Sequence, residues 1–186
     1  GSTGAEWAGK PYAAIKDTAE ADGSVLVVPV GSIEQHGHHL PVATDTILVD
    51  AVVHGGADRV GTDVPLLVTP PVWSGFSPHH LPFGGTLSLD LDHLQAVLED
   101  IAQTGLENGF DAVCFVNGHG GNVDALRELC ARVTRHTDGY AVPFTWFDAV
   151  DPQAAGLPDH AGMGHGGPVE TSLVRHLHPD LVEEGA

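Results

Sequence analysis

Residues 111–136 constrain the fold of this chain more than any other stretch. DAVCFV (111–116) is a short apolar run without polar alternation, the pattern of a strand buried on both faces. NGHGGN (117–122) follows as a tight turn, and Val123 to His136 reads as an amphipathic helix. A strand that leads through a turn into a helix predicts a parallel sheet covered by helices, because parallel neighbours are joined by crossovers. In such folds, ligand sites gather at the carboxyl ends of the strands. The polar residues that follow each strand are therefore the ones to weigh.

The rest of the chain repeats this alternation. SVLVVPV (24–30) reads as a second buried strand, ending at Gly31 and Ser32. Val64 to Val68 is a third candidate, stopped by Pro70 and Pro71, and Tyr140 to Phe147 a fourth. A helix is expected from Thr46 to about Val60, although Gly55 and Gly56 interrupt it. A clearer one follows a cap at Ser88 or Asp90, where Leu91, Leu94, Val97, Leu98 and Ile101 recur at three- and four-residue spacing. A last helix runs from Val169 toward Pro179. WSGFSPHHLPFGGT (73–86) is too turn-rich for either element and reads as a functional loop. Residues 1–23 form an N-terminal lead-in, and the 186 residues suit one α/β domain.

Charge excludes some functions. Twenty-five Asp and Glu stand against seven Lys and Arg, a net charge of −18 that repels polyanions and argues against nucleic-acid binding. This lysine-poor acidity resembles that of proteins from salt-adapted organisms. No apolar run approaches the roughly 20 residues that span a bilayer. The N-terminus has no leader pattern, and Cys114 and Cys130 suggest no disulfide framework. A soluble protein of the cytoplasm is the expectation.

Thirteen histidines direct the search for chemistry. In GSIEQHGHHLPVATDT, Glu34 and His36 are two residues apart, so extended backbone turns both to one side. Asp45 follows nine residues later, and Gly37 lets the chain turn away. Carboxylate oxygen and imidazole nitrogen together suit zinc, manganese or iron. In NGHGGN, His119 sits among glycines that allow positive φ and close backbone approach; alone, it reads more readily as a surface histidine on a turn than as a ligand. DHAGMGHGGPVETS (159–172) adds His160, His165 and Glu170, the last also readable as a carboxylate at a helix N-terminus.

Taken in order, GSIEQHGHHLPVATDT, HHLPFGGTLSL, NGHGGN and GHGGPVETSL resemble the successive signature segments of the creatinine amidohydrolase family, over residues 25 to about 182. The resemblance implies a three-layer α/β/α domain with a mostly parallel sheet and two divalent metal ions, zinc foremost. Asp45 matches the bridging carboxylate, Glu34 and His119 the other ligands of one ion, and His36 a ligand of the second. His165, five residues before Glu170, matches the histidine acting near the scissile bond; His160 does not keep that spacing. One departure stands out: the family's creatinine-hydrolysing members carry a glutamate ligand where this chain has Gly121. That departure makes creatinine itself a doubtful substrate, and Glu170 is the expected replacement ligand. The resemblance also implies a homo-oligomer such as a hexamer, and the chain ends earlier than expected for the family.

The expected chemistry is hydrolysis of a C–N amide bond in a small cyclic amide, formamide or related molecule. Two cations about 3.5–4 Å apart lower the pKa of a shared water and polarise the carbonyl. His165, with Glu170, is the expected proton donor or relay. Asn122 and the amides of 118–121 would hold the oxyanion, and His80 and Thr86 would line the substrate pocket. The alternatives are a peptidase-like member trimming a modified precursor peptide and a metal-binding module without catalysis.

Overall fold

The computed structural model describes residues 4–151, 153, 154, 156 and 164–186; Asp159 and His160 of the third cluster lie outside them. The described elements are α1 (Tyr12–Ala19), β1 (Val25–Val30), α2 (Thr44–Val60), β2 (Leu66–Val68), α3 (Leu91–Glu107), β3 (Ala112–Asn117), α4 (Val123–His136), β4 (Tyr140–Thr145) and α5 (Pro168–Leu177), with short 3₁₀ turns between them. The four strands form one sheet in the order β2-β1-β3-β4, with every pair parallel.

Alternate residues of each strand feed two cores, as the period of two dictates. Leu26, Val28 and Val30 of β1 and Val113 and Phe115 of β3 pack against Ala19 of α1, Leu94, Leu98 and Ala102 of α3, and Leu126, Leu129 and Val133 of α4. Val27 and Val116 face the other way, toward Leu48, Val49, Val53 and Ala57 of α2 and Val174 of α5. The architecture is thus the expected three-layer α/β/α sandwich. Leu94, Leu98, Leu126, Leu129 and Phe115 are fully buried, and burial of such side chains contributes about 1.5–3 kcal/mol each.

Local chemistry explains several boundaries. Asp90 caps α3, its side chain accepting from Asp92 N at 3.1 Å. Ser88 instead accepts from Ser77 N at 2.8 Å and so ties the middle loop to the helix entrance. Pro29 lies within the central strand β1, yet the β2 ladder has already ended at Val68, so its missing N–H costs no rung there. Its carbonyl is used by Val72 N at 2.9 Å.

Three expectations need correction. The lead-in carries α1, a short helix with one buried side chain, too few apolar repeats to show as a period. It also pairs with the sheet, because Val68 N donates to Ala5 O and Trp7 N to Val68 O, both at 2.8 Å. The 73–86 loop contains a 3₁₀ turn over Pro78–Phe83. The fourth strand stops at Thr145, and Trp146–Ala149 form another 3₁₀ turn. Among the described residues, no helix is long and apolar enough to cross a membrane.

Candidate metal centre

The site forms where β1 and β3 end side by side, with Val30 in register with Asn117. Two glycines bring α2 against both ends. A Cβ on Gly31 would collide with Thr46, and one on Gly118 would lie 2.8 Å from Asp45 O and Val49 Cβ. The first turn of α2, which carries Asp45, can therefore reach the loops after both strands. Neither glycine has positive φ, nor do Gly120 and Gly121. Close approach, and not left-handed backbone, is what the NGHGGN segment uses. Gly37 does turn the chain with φ 75°.

The four main ligand candidates converge. Glu34, His36, Asp45 and His119 are all buried, with at most 4 % of each exposed. His119 Nδ1 lies 3.0 Å from Asp45 Oδ2 and 3.2 Å from Glu34 Oε2. His36 Nε2 lies 3.1 Å from Asp45 Oδ1 and 3.6 Å from Glu170 Oε2. One oxygen of Asp45 thus faces each imidazole. His165 Nδ1 stands 3.3 Å from Glu34 Oε1, and its ring centroid is 4.1 Å from that of His36.

The far nitrogens fix the rings. His36 Nδ1 donates to the Glu34 carbonyl at 3.1 Å, His119 Nε2 to the Phe76 carbonyl at 3.0 Å, and His165 Nε2 to the Gln35 carbonyl at 2.6 Å. A carbonyl oxygen only accepts, so each of these nitrogens carries the proton. In the neutral rings the opposite nitrogens, His36 Nε2, His119 Nδ1 and His165 Nδ1, therefore turn lone pairs toward Asp45, Glu34 and Glu170. Lone pairs facing carboxylates repel unless positive charge lies between them. Asp45 Oδ2, moreover, is buried and, beside the unprotonated His119 Nδ1 at 3.0 Å, receives no hydrogen bond. An orphaned carboxylate oxygen and carbonyl-oriented imidazoles are what a cation requires, so the residues present fit divalent metal.

The electrostatics agree. Burial alone would lower the His36 pKa, but Asp45 and Glu170 outweigh it and push the ring up to about 10. Burial opposes charge at His119 too, and Asp45 and Glu34 raise it to about 9. Burial pushes Glu34 up, yet His119, His165 and Ser77 together hold it well below the ordinary carboxylate range. The carboxylates draw positive charge into a buried space, supplied by protons when no metal is present.

Among the described residues, three groupings place ligand atoms within 4.8 Å of one another: Glu34, His79 and His119; Glu34, His36 and His165; and His36, Asp45 and Glu170. Glu170, in the first turn of α5, is oriented by Gly166 N, which donates to its Oε2 at 2.6 Å. At Gly121, by contrast, a Cβ would collide with the Phe76 carbonyl and the His119 ring. The space beside Gly121 is filled by the protein itself, so no side chain fits there in this loop conformation.

A cavity of about 610 Å³ opens onto the cluster, lined by Glu34, Asp45, His79, His80, His165, Glu170, Phe147 and the 118–121 backbone. Asn122 and Thr86, expected at the substrate, are not in its lining. Asn122 is fully buried and spent on bracing: it accepts from Phe76 N and donates to Gly31 O, both at 3.0 Å. Thr86 links Gln35 N to the His80 carbonyl, at 3.3 Å each.

Other residues were not singled out individually by the sequence, although Ser77 and His79 lie within the 73–86 loop. Ser77, fully buried, donates to Glu34 Oε2 at 2.5 Å and contacts Ser32 Oγ at 2.6 Å. Phe147 and His79 reach the cavity from turns whose geometry no periodicity reveals.

Comparison with known proteins accords with this geometry. The family described as creatininase, creatinine amidohydrolase, matches residues 12–186. A mycofactocin precursor peptide peptidase of Mycolicibacterium smegmatis is 36% identical over 161 residues, which cover 85% of this chain and 60% of that protein. The chain thus spans about 60% of the length of such relatives. The creatinine amidohydrolase of Pseudomonas putida is 35% identical over 184 residues, covering 88% of this chain and 68% of that protein. A crystal structure of creatinine amidohydrolase superposes with a TM-score of 0.79 at 32% identity, covering 98% of this chain and 75% of that one. The chain belongs to the creatinine amidohydrolase family.

Proposed function

We propose that this protein is a metal-dependent amidohydrolase that cleaves a C–N bond in a small cyclic amide, formamide or related molecule. One observation carries the reading: three buried or half-buried imidazoles give one nitrogen to main-chain carbonyls and turn the other toward Glu34, Asp45 and Glu170. Glu34, Asp45 and His119 would hold one divalent ion, and His36, Asp45 and Glu170 a second, with Asp45 shared. Zinc is the first choice and manganese the second; solved relatives include a creatininase with Mn and a mutant creatininase of Zn-Zn type.

When bound, such ions supply Lewis acidity toward a carbonyl oxygen and lower the pKa of water. The chain's own residues do the rest. Ser77 and Ser32 hold the Glu34 carboxylate in one orientation. His165, partly exposed beside Glu34 and lining the cavity, would relay a proton. Phe147 and the 118–121 backbone shape the wall against which a substrate would rest. Assembly into a homo-oligomer belongs to the same reading, with the half-exposed Val142 and Phe144 of edge strand β4 as apolar contact surface.

The test pairs elemental analysis of protein purified without added metal with a panel of cyclic amides, formamides and short peptides. Chelator-sensitive turnover of a small amide is expected. Activity that survives complete metal removal refutes the reading. Turnover confined to peptides refutes the substrate class, and bound metal with no turnover at all refutes the enzyme.

A further inference from the structure

His80 is built differently from the other imidazoles of the site, and the difference begins at Gln35. Gly37 N can only donate, and it lies 2.9 Å from Gln35 Oε1. The amide is thereby oriented, and its nitrogen sits 2.8 Å from His80 Nδ1. An amide nitrogen only donates, so His80 Nδ1 accepts and the proton of the neutral ring resides on Nε2. That nitrogen faces inward, 3.5 Å from Glu34 Oε1, on a ring that lines the cavity and is 12% exposed. Gln35 Nε2 also lies 3.1 Å from His165 Nε2, but the 2.6 Å contact of His165 Nε2 with the Gln35 carbonyl is the shorter and requires a proton there. His165 thus keeps its N–H on the backbone, whereas His80 turns its own into the cavity.

The ring is also held in place. It stacks on His165 with centroids 4.3 Å apart and 20° between planes, and packs against His79 at 4.2 Å. Thr86 Oγ1 donates to the His80 carbonyl and accepts from Gln35 N, fixing the two residues to each other. A rigid, sheltered and neutral N–H donor is suited to negative charge that develops on a carbonyl oxygen during amide cleavage. It stabilises that charge without a change in its own protonation.

We infer that His80, in the Nε2–H tautomer imposed by Gln35, is the hydrogen-bond donor to the reacting carbonyl oxygen, and that Gln35 is its positioning residue. This rests on the amidohydrolase reading above and assigns to His80 a role that neither the motif spacing nor the family resemblance gives it.

The test uses zinc-loaded protein labelled with ¹⁵N-histidine, the His80 signals being identified by their loss in His80→Gln. In the wild type, Nε2 should carry the proton and Nδ1 should not. Gln35→Glu places an acceptor opposite Nδ1 and should reverse the tautomer while its second oxygen still receives Gly37 N–H. His80→Ala should lower kcat about 10²–10³-fold, the usual effect of removing one such donor, with KM and zinc content unchanged. His80→Gln, which keeps an N–H donor, should recover part of the loss. A His80 proton on Nδ1 in an active wild type overturns the inference alone, as does His80→Ala with near-wild-type kcat or with a lost zinc equivalent. No turnover by the zinc-loaded wild type on any amide overturns the amidohydrolase reading, and the catalytic role falls with it.

Discussion

Replacing Glu170 with Gln separates metal binding from folding. The substitution keeps the side-chain volume and leaves an oxygen for Gly166 N, which now donates at 2.6 Å. What disappears is the negative charge 3.6 Å from His36 Nε2. A hydrogen bond to a charged group is worth about 1.5–3 kcal/mol net and a neutral one about 0.5–1.5. The fold should therefore lose about 1 kcal/mol, or about 2–4 °C in Tm for a domain of this size. Binding of the proposed second ion should suffer more. Changes merely adjacent to metal ligands cost about 10–100-fold in affinity, and loss of a ligating carboxylate should cost at least that, about 1.4–2.8 kcal/mol. Elemental mass spectrometry after gel filtration should show one equivalent lost from a folded protein, and competition with a graded chelator should place the weakening on one ion only. Two equivalents retained at wild-type affinity would mean that Glu170 holds no metal and that a different group replaces the side chain absent at Gly121.

Other perturbations follow from the same geometry. Gly121→Ala pushes a methyl into the Phe76 carbonyl and the His119 ring, so it should cost about 1–3 kcal/mol in denaturant unfolding; an unchanged midpoint would show that the loop yields freely. In metal-free protein, His36 and His119 have pKa values raised to about 10 and 9, so folding takes up protons. Their stabilisation should be full below about pH 6.5 and fade as pH climbs through 9 to 10. Metal binding at neutral pH must displace those protons, and calorimetry in buffers of different ionisation enthalpy should detect their release; no buffer dependence would contradict the protonated rings. The net charge of −18 should make the unfolding midpoint rise with added salt as self-repulsion is screened, and a flat response would argue against salt adaptation.

Strand and helix placement was legible because periodicity reports burial. The 111–136 unit matched closely: Ala112–Asn117 and Val123–His136 are the observed elements. Residues 12–19 hid their helix because Ala19 alone is buried. The ligand candidates were legible as residue types at strand ends, and the approach of Asp45 to His119 at 3.0 Å is the contact on which that expectation depended. Spacing could not reveal which nitrogen of each ring faces inward, since that depends on the carbonyls of Glu34, Gln35 and Phe76. Nor could it show that Asn122 is consumed by bracing, because Phe76 and Gly31 arrive from distant loops.

The pairing of Val30 with Asn117 makes ion capture a reporter of strand alignment. A slip of one residue between β1 and β3 would shift one loop by about 3.3 Å and invert which side chains point inward. Misaligned chains would then forfeit the energy of chelation, so a divalent ion should act as a proofreader during folding and select the correctly zipped centre of the sheet over its near neighbours.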